Sequence, residues 1–347
     1  MKRCSRCLLP ETYPKISFDK QGVCSYCRGE NHFGIENKEK IRKLIKNKEK
    51  LKNDFERFLH KIKGKNEYDC LLLLSGGKDS IYLLYILKKK YNLNILTYTV
   101  DTGLMNPRAK KNIAIVIDKL NVDHIFYKPG NDFFKKLYRF YLKNPSSSTF
   151  CDKICEVCSN VIHGLGLIEA SKRKIPFVAL GYSPDQTDHF FYKIPREELN
   201  KDWIPEELLK NKNHNIDLKY FWNPEKTDFI PELFLPFHVI DYPSIERIYE
   251  TIEKLGLVKK RHLNSLKTNC YLAWLLHYLD LNINGYTPYI KDISRNIQMG
   301  KLQLTLVKKI YYTCGLQLLK HNLIKRSDKK YVLSRLNLKI SDILAIK

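Results

Sequence analysis

Two groups of residues in this chain have the types and spacing to do chemistry. The first is Ser75-Gly76-Gly77-Lys78-Asp79-Ser80, which follows the apolar run Leu71–Leu74 and precedes Ile81, Leu84, Tyr85 and Leu87 at helical spacing. A buried strand, a glycine turn and a helix start together make a cradle for phosphate. Backbone N–H groups at a helix N-terminus are unpaired and partly positive, and glycine lets an anion come close to the backbone. Lys78 adds a mobile positive charge, and Ser75 and Ser80 add hydroxyl donors. The second group is the cysteines. Cys4-x2-Cys7 and Cys24-x2-Cys27 form two knuckles separated by 16 residues, the pattern of a tetrahedral four-thiolate site suited to structural zinc. Cys151, Cys155 and Cys158, spaced C-x3-C-x2-C, are too close together to be independent core thiols. They could ligate an iron–sulfur cluster with one iron open to a substrate sulfur, hold zinc, or serve as reactive thiols. Cys270 is a distant candidate ligand for the same group, whereas Cys70 and Cys314 read as core.

The elements that must position these residues follow from the alternation of the text. Buried strands are expected at Asp69–Leu74, Asn94–Val100, His124–Tyr127 and Pro176–Leu180, and helices at Asp79–Lys90, Pro107–Leu120, Asp132–Leu142 and about Glu156–Lys172. Strands alternating with helices predict an α/β fold, a doubly wound parallel sheet with ligands at the strand C-termini. Three strand ends carry polar loops: Ser75 onward, Asp101-Thr102-Gly103, and Gly181-Tyr182-Ser183-Pro184-Asp185-Gln186. Asp101 reads either as a contact to the ribose, direct or through a neighbouring residue, or as the cap of a helix starting near Asn106-Pro107. Asp185 either binds magnesium or caps a helix. The Cys151–Cys158 group precedes the last core helix and should lie near the same edge.

The flanking text divides into residues 1–30, a zinc ribbon; 31–68, a basic helical linker; 69–190, the core; 191–236, an insertion or lid; and 237–347, a helical region. The stretch 191–236 is rich in Pro, Trp, Phe and Lys, and its Trp203 and Trp222 could stack on a substrate or pack the segment down. Helices are expected at Ser244–Leu255, Thr268–Asp280, Thr287–Gln298 and Thr305–His321, and this region could complete a substrate pocket or a homodimer face. Of the 347 residues, 44% are hydrophobic, enough for a sizeable core. No apolar run has the length of a membrane span, and Met1-Lys2-Arg3-Cys4 leads into charge rather than an apolar leader, so the expected location is cytoplasmic, away from membrane. The net charge of +24, from 61 basic and 37 acidic residues, would draw polyanions such as tRNA or nucleotides; the lysine-rich composition of an AT-rich genome would give the same number.

The run Ser75–Ser80 reads SGGKDS, and the other common phosphate loop, G-x4-G-K-S/T, is absent. On this motif the chain resembles the PP-loop ATP pyrophosphatase (adenine nucleotide alpha hydrolase-like) superfamily. The resemblance implies that Ser75, Gly76, Gly77, Lys78, Asp79 and Ser80 bind the phosphates of Mg2+-ATP, with Asp101, Gly181 and Ser183 toward the adenylate. It implies that an acceptor oxygen attacks the α-phosphorus while pyrophosphate leaves. Lys78, Asp79, Ser80, Cys155 and Cys158 are then the expected catalytic residues. The N-terminal cysteine pairs, Phe18-Asp19-x2-Gly22-Val23-Cys24, the SGGKDS loop, Cys155-x2-Cys158 and Gly181-x2-Pro184 also resemble the N-acetyl sugar amidotransferase family over about residues 1–190. This implies amidotransfer to a nucleotide-sugar in surface-polysaccharide synthesis, with ammonia from a partner glutaminase, since no glutaminase is recognisable in the chain. The same core is similar to the tRNA 2-thiolation enzymes, which implies sulfur transfer to a tRNA base. There Cys155, Cys158 and a later cysteine such as Cys270 would ligate a 4Fe-4S cluster; one of two acidic positions after Gly181 is missing here. Amidotransfer is the first expectation, sulfur transfer the alternative, and an inactive nucleotide-binding module a third.

Overall fold

A computed structural model describes residues 2–31, 46–146, 148–184, 192–259, 269–298, 303 and 305–345. The expected linker residues 32–45, and Asp185 and Gln186, lie outside them. The chain divides into two compact units. One comprises Asn37–Phe134 and Val157–Cys270, the other Met1–Glu36, Lys135–Glu156 and Tyr271–Lys347.

The first unit is built on five strands: β1 Cys70–Leu73, β2 Ile95–Val100, β3 Asp123–Tyr127, β4 Phe177–Leu180 and β5 Glu232–Phe234. All neighbouring pairs are parallel, in the order β3-β2-β1-β4-β5. Strands β1, β2 and β4 are buried along their whole length, as expected for near-continuous apolar runs covered on both faces. Cys70, Leu72 and Leu74 share one core with Phe55 and Leu59 of the helix Lys48–Ile62, Ile81 and Leu84 of Lys78–Tyr85, and Ile113, Val116 and Leu120 of Pro107–Leu120. Leu73, one position out of phase, faces the other side. There the helix Phe150–Lys172 comes so close at Gly166 that a Cβ would lie 3.0 Å from Leu73 Cδ2. Helices on both faces make the sheet doubly wound. The chain lays β2 and β3 on one flank of β1, then β4 and β5 on the other, so the reversal between β1 and β4 opens a crevice at their C-terminal ends.

The helix Pro107–Leu120 has the bounds its sequence predicts. Pro107 fits the first turn, the Asn106 side chain accepts from Arg108 N at 2.9 Å, and Asn121 closes the helix at φ +48°. Elsewhere the structure departs from the sequence reading. The expected helix Asp79–Lys90 is α-helical only over Lys78–Tyr85 and widens to a π-turn over Ile86–Lys90. The helix expected from about Glu156 begins at Phe150, so the cysteine group lies inside it rather than ahead of it. The stretch after residue 191, irregular in the sequence reading, contributes β5 and packs as core. Trp222 is fully buried, donates its Nε1–H to Leu199 O at 2.8 Å, and presses on the same long helix at Gly164, where a Cβ would lie 2.9 Å from Trp222 N. Among the described residues no helix is long and apolar enough to cross a membrane.

The second unit joins the N-terminal knuckles to helices Leu272–Ile283, Pro288–Gln298, Leu306–Lys320, Arg326–Leu336 and Ile340–Leu344. Its apolar centre is formed by Leu8, Leu281, Ile290, Leu316 and Leu319. Asp280, fully buried, accepts from Phe150 N at 2.7 Å and Cys151 N at 3.1 Å and so caps the start of the cysteine-bearing helix. Burial pushes its carboxyl up to about 7, against the pull of those two donors.

Candidate active site and metal centre

The SGGKDS segment forms the turn between β1 and the helix Lys78–Tyr85, at the sheet's point of reversal. Gly76 adopts φ +74°, and a Cβ on it would stand 2.4 Å from Ala109 O, so only glycine fits. Asn112, buried in the neighbouring helix, donates its side-chain N–H to Gly76 O at 3.0 Å. Inside the loop, Ser75 N donates to Ser80 Oγ at 3.3 Å, and the Ser80 hydroxyl donates to Gly77 O at 3.1 Å. The two serine oxygens are 3.1 Å apart. The end of β4 presses on this helix start: a Cβ at Gly181 would lie 2.7 Å from Ser80 Cα. The loop is thus held from three elements while its helix N-terminus faces the crevice.

That crevice is a cavity of about 330 Å³. Its floor is Ser75, Gly77, Asp79 and Ser80, with Tyr98, Thr99 and Thr102 from the end of β2 and Gly181 and Tyr182 from the end of β4. The remaining wall carries Cys158, Ser159, Ile162 and His163 from the long helix, together with Asn269 and Cys270. Cys270 is fixed by a bridge to Met105, and Asn269 O accepts from Asn106 N at 2.8 Å. His163 Nε2 is 3.1 Å from Tyr182 Oη, and burial lowers its imidazole to about 4, so it is neutral at physiological pH.

Several residues singled out from sequence sit elsewhere. Gly76, Lys78, Asp101 and Ser183 are not among the residues facing the cavity. Asp101 does not cap the following helix, which Asn106 caps: its Oδ1 accepts from Gly103 N at 2.9 Å and its Oδ2 pairs with Lys110 Nζ at 2.9 Å. The Lys78 ammonium lies 2.6 Å from Asp79 Oδ2. Cys151 and Cys155 belong to the second unit, with sulfurs 3.8 Å apart. The hydrogen bond between them draws the Cys155 thiol below its usual range and pushes Cys151 up. His163 escaped the sequence reading, although Cys158, Ser159, Ile162 and His163 occupy positions i, i+1, i+4 and i+5, one face of a helix.

The N-terminal cysteines converge. The thiol sulfurs of Cys4, Cys7, Cys24 and Cys27 all lie within 4.8 Å of one another, with Cys4–Cys27 at 3.8 Å and Cys7–Cys24 at 3.6 Å. Four sulfurs about 2.3 Å from a tetrahedral ion are separated by about 3.8 Å, so the set could hold a metal with little adjustment. Cys24 N donates to Cys4 Sγ at 3.3 Å, and Gln298 Nε2 to Cys27 Sγ at 3.4 Å, contacts that suit thiolate ligands. Among the described residues this is the one group of three or more metal-binding side chains gathered so closely.

An open parallel sheet with an SGGKDS loop at its point of reversal defines a class: the chain resembles the PP-loop ATPases. No family model matches the chain. An uncharacterized protein of Methanocaldococcus jannaschii is 32% identical over 123 residues, 35% of this chain and 40% of its own. A probable sulfurtransferase of the same organism is 29% identical over 222 residues, 58% of this chain and 62% of its own. The chain therefore spans less than two thirds of the length of these relatives. Among solved structures, the U34-tRNA thiolase NcsA from Methanococcus maripaludis with its 4Fe-4S cluster aligns over 97% of this chain and 89% of that chain, at 14% identity and a TM-score of 0.36.

Proposed function

We propose that this chain is an ATP-dependent sulfurtransferase. One observation carries the reading: Cys158 and Cys270 stand in the wall of the cavity whose floor is the SGGKDS loop. Phosphate-gripping groups and sulfur-carrying groups therefore face one space. The relative named a probable sulfurtransferase supports sulfur over nitrogen, whereas amidotransfer to a nucleotide-sugar rests on the sequence resemblance alone. In this reading the loop holds the β- and γ-phosphates of Mg2+-ATP. A carbonyl oxygen of the acceptor attacks the α-phosphorus, and the electron pair leaves with pyrophosphate. Donors fixed in advance at the helix N-terminus stabilise that developing charge. Inorganic sulfide taken up beside Cys158 and Cys270 then attacks the activated carbon: a C–S bond forms, the C–O bond to the adenylate breaks, AMP leaves with that electron pair, and the sulfide gives up its proton. If these thiolates hold an iron–sulfur cluster, it would supply an open iron to take up inorganic sulfide. The net charge of +24 favours a polyanionic acceptor, and a tRNA base carbonyl is the one the resemblance suggests. The N-terminal four-thiolate set holds structural zinc, its four protein ligands closing the coordination shell.

The test is to compare Cys158→Ser and Cys270→Ser with the native protein, using ATP, bulk tRNA and sulfide. The expected result is that pyrophosphate release survives while sulfur incorporation into tRNA falls by about 100-fold or more. Undiminished incorporation in both variants, or incorporation of ammonia into a sugar acceptor, would overturn the reading.

A further inference from the structure

Lys78 carries the loop's mobile charge, yet it is held away from the cavity. Its ammonium is 2.6 Å from Asp79 Oδ2, and its side chain is only 11% exposed. The other oxygen of the same carboxylate, Asp79 Oδ1, accepts from the phenol of Tyr242 at 2.7 Å, and that phenol is 3.5 Å from Lys78 Nζ. Tyr242 lies 163 residues beyond Asp79 in sequence, outside the loop motif. Its ring stands edge-on to Phe237 at 5.0 Å, and Phe237 is buried and stacked on Tyr82 at 6.0 Å, so the core fixes where the phenol points.

We propose that Tyr242 is a positioning residue for the phosphate loop, holding the Asp79 carboxylate so that Lys78 can leave it for a nucleotide phosphate. This deepens the ATP reading of the cavity and rests on it. The physical reason is the cost of a carboxylate left without donors in a partly buried place. When Lys78 turns to a phosphate, Asp79 loses its cation at the moment an anion arrives nearby. A phenol that stays on Oδ1 keeps one strong hydrogen bond to that charge and keeps the carboxylate from following the lysine. Without the phenol the lysine's departure strips Asp79, and the closed Lys78–Asp79 pair competes better against the nucleotide.

The test measures Mg2+-ATP affinity by isothermal titration calorimetry in four full-length proteins: native, Tyr242→Phe, Asp79→Asn and the double variant. Tyr242→Phe keeps the ring against Phe237, and a matching thermal unfolding curve checks that it does. The expected result is affinity weakened roughly tenfold in Tyr242→Phe, the scale of one hydrogen bond to a charged group. The same substitution on the Asp79→Asn background is expected to change affinity by less than about twofold, because the charge through which Tyr242 acts is gone. Native affinity in Tyr242→Phe would overturn the proposal. An equal loss on both backgrounds would also overturn it, assigning the effect to packing. A native protein that binds no ATP would remove the nucleotide reading itself, and this proposal with it.

Discussion

Replacing Gly76 by alanine puts a methyl group where the fold has no room for one. The added Cβ would lie 2.4 Å from Ala109 O and 3.0 Å from Ala109 C. Ordinary contact begins at 3.4 Å, so the loop and the helix Pro107–Leu120 must separate by about 1.0 Å, the difference between 3.4 and 2.4. Neither side yields freely. Ala109, Ile113 and Val116 are buried in that helix, and Asn112 ties it to Gly76 O. The φ of +74° adds a second cost, about 1 kcal/mol for a residue with a Cβ, and overpacking adds about 1–3 kcal/mol. Gly103 separates the two costs: it has nearly the same φ, +76°, but nothing within 4 Å of its added Cβ. Urea unfolding should therefore place Gly103→Ala about 1 kcal/mol below the native protein and Gly76→Ala about 2–4 kcal/mol below it. Equal losses in the two variants would refute the claim that close approach, rather than backbone sign alone, requires glycine in the loop.

Lys78→Ala should lower pyrophosphate release by about two to three orders of magnitude in a protein that still folds, checked by a coupled pyrophosphate assay beside an unfolding curve; native turnover would remove Lys78 from the mechanism. Cys24→Ser breaks the four-sulfur set, so bound zinc should fall well below one per chain by elemental analysis, and a strong chelator should have the same effect on the native protein. Burial lowers His277 to about 4, so in the folded state it resists protonation and contributes stability that is present above about pH 6.5 and lost as pH falls toward 4. His277→Gln abolishes that term, and the stability gap between native and variant should close by about 3 kcal/mol between pH 7 and pH 4 in urea titrations. A pH-independent gap would contradict it. Asp280, raised to about 7, works in the opposite sense in both proteins and cancels in the comparison.

The parts of this fold legible in the sequence are those set by local pattern. Leu71–Leu74 and Phe177–Leu180 are continuous apolar runs and form central buried strands, and Asn106-Pro107 with Asn121 marks both ends of a helix. The two C-x2-C pairs announce a shared site because four thiols at that spacing have little else to do. Most of what escaped is fixed by distant partners. The helix start at Phe150 has a local signal in Thr149-x2-Asp152, with Thr149 Oγ1 accepting from Asp152 N at 3.0 Å, but its other anchor, Asp280, is 130 residues away. Strand β5 is three residues long and reads as strand only beside β4. Tyr242 and Asn112 hold the loop from outside its motif, and neither residue type at those places carries a pattern. At the cavity wall Cys158 was legible from its cysteine spacing, and His163, on the same face of the helix expected over Glu156–Lys172, was within reach of that pattern.

The most direct test of the central claim follows both products at once. The native protein, purified without oxygen, is given ATP labelled at the α-phosphate, bulk tRNA and isotopically labelled sulfide, and nucleotide products are counted against sulfur bound to RNA. The account predicts labelled AMP and pyrophosphate in equal amounts, matched by sulfur in the tRNA. ADP with inorganic phosphate as the products, or AMP release with no sulfur transferred to any RNA, would contradict it.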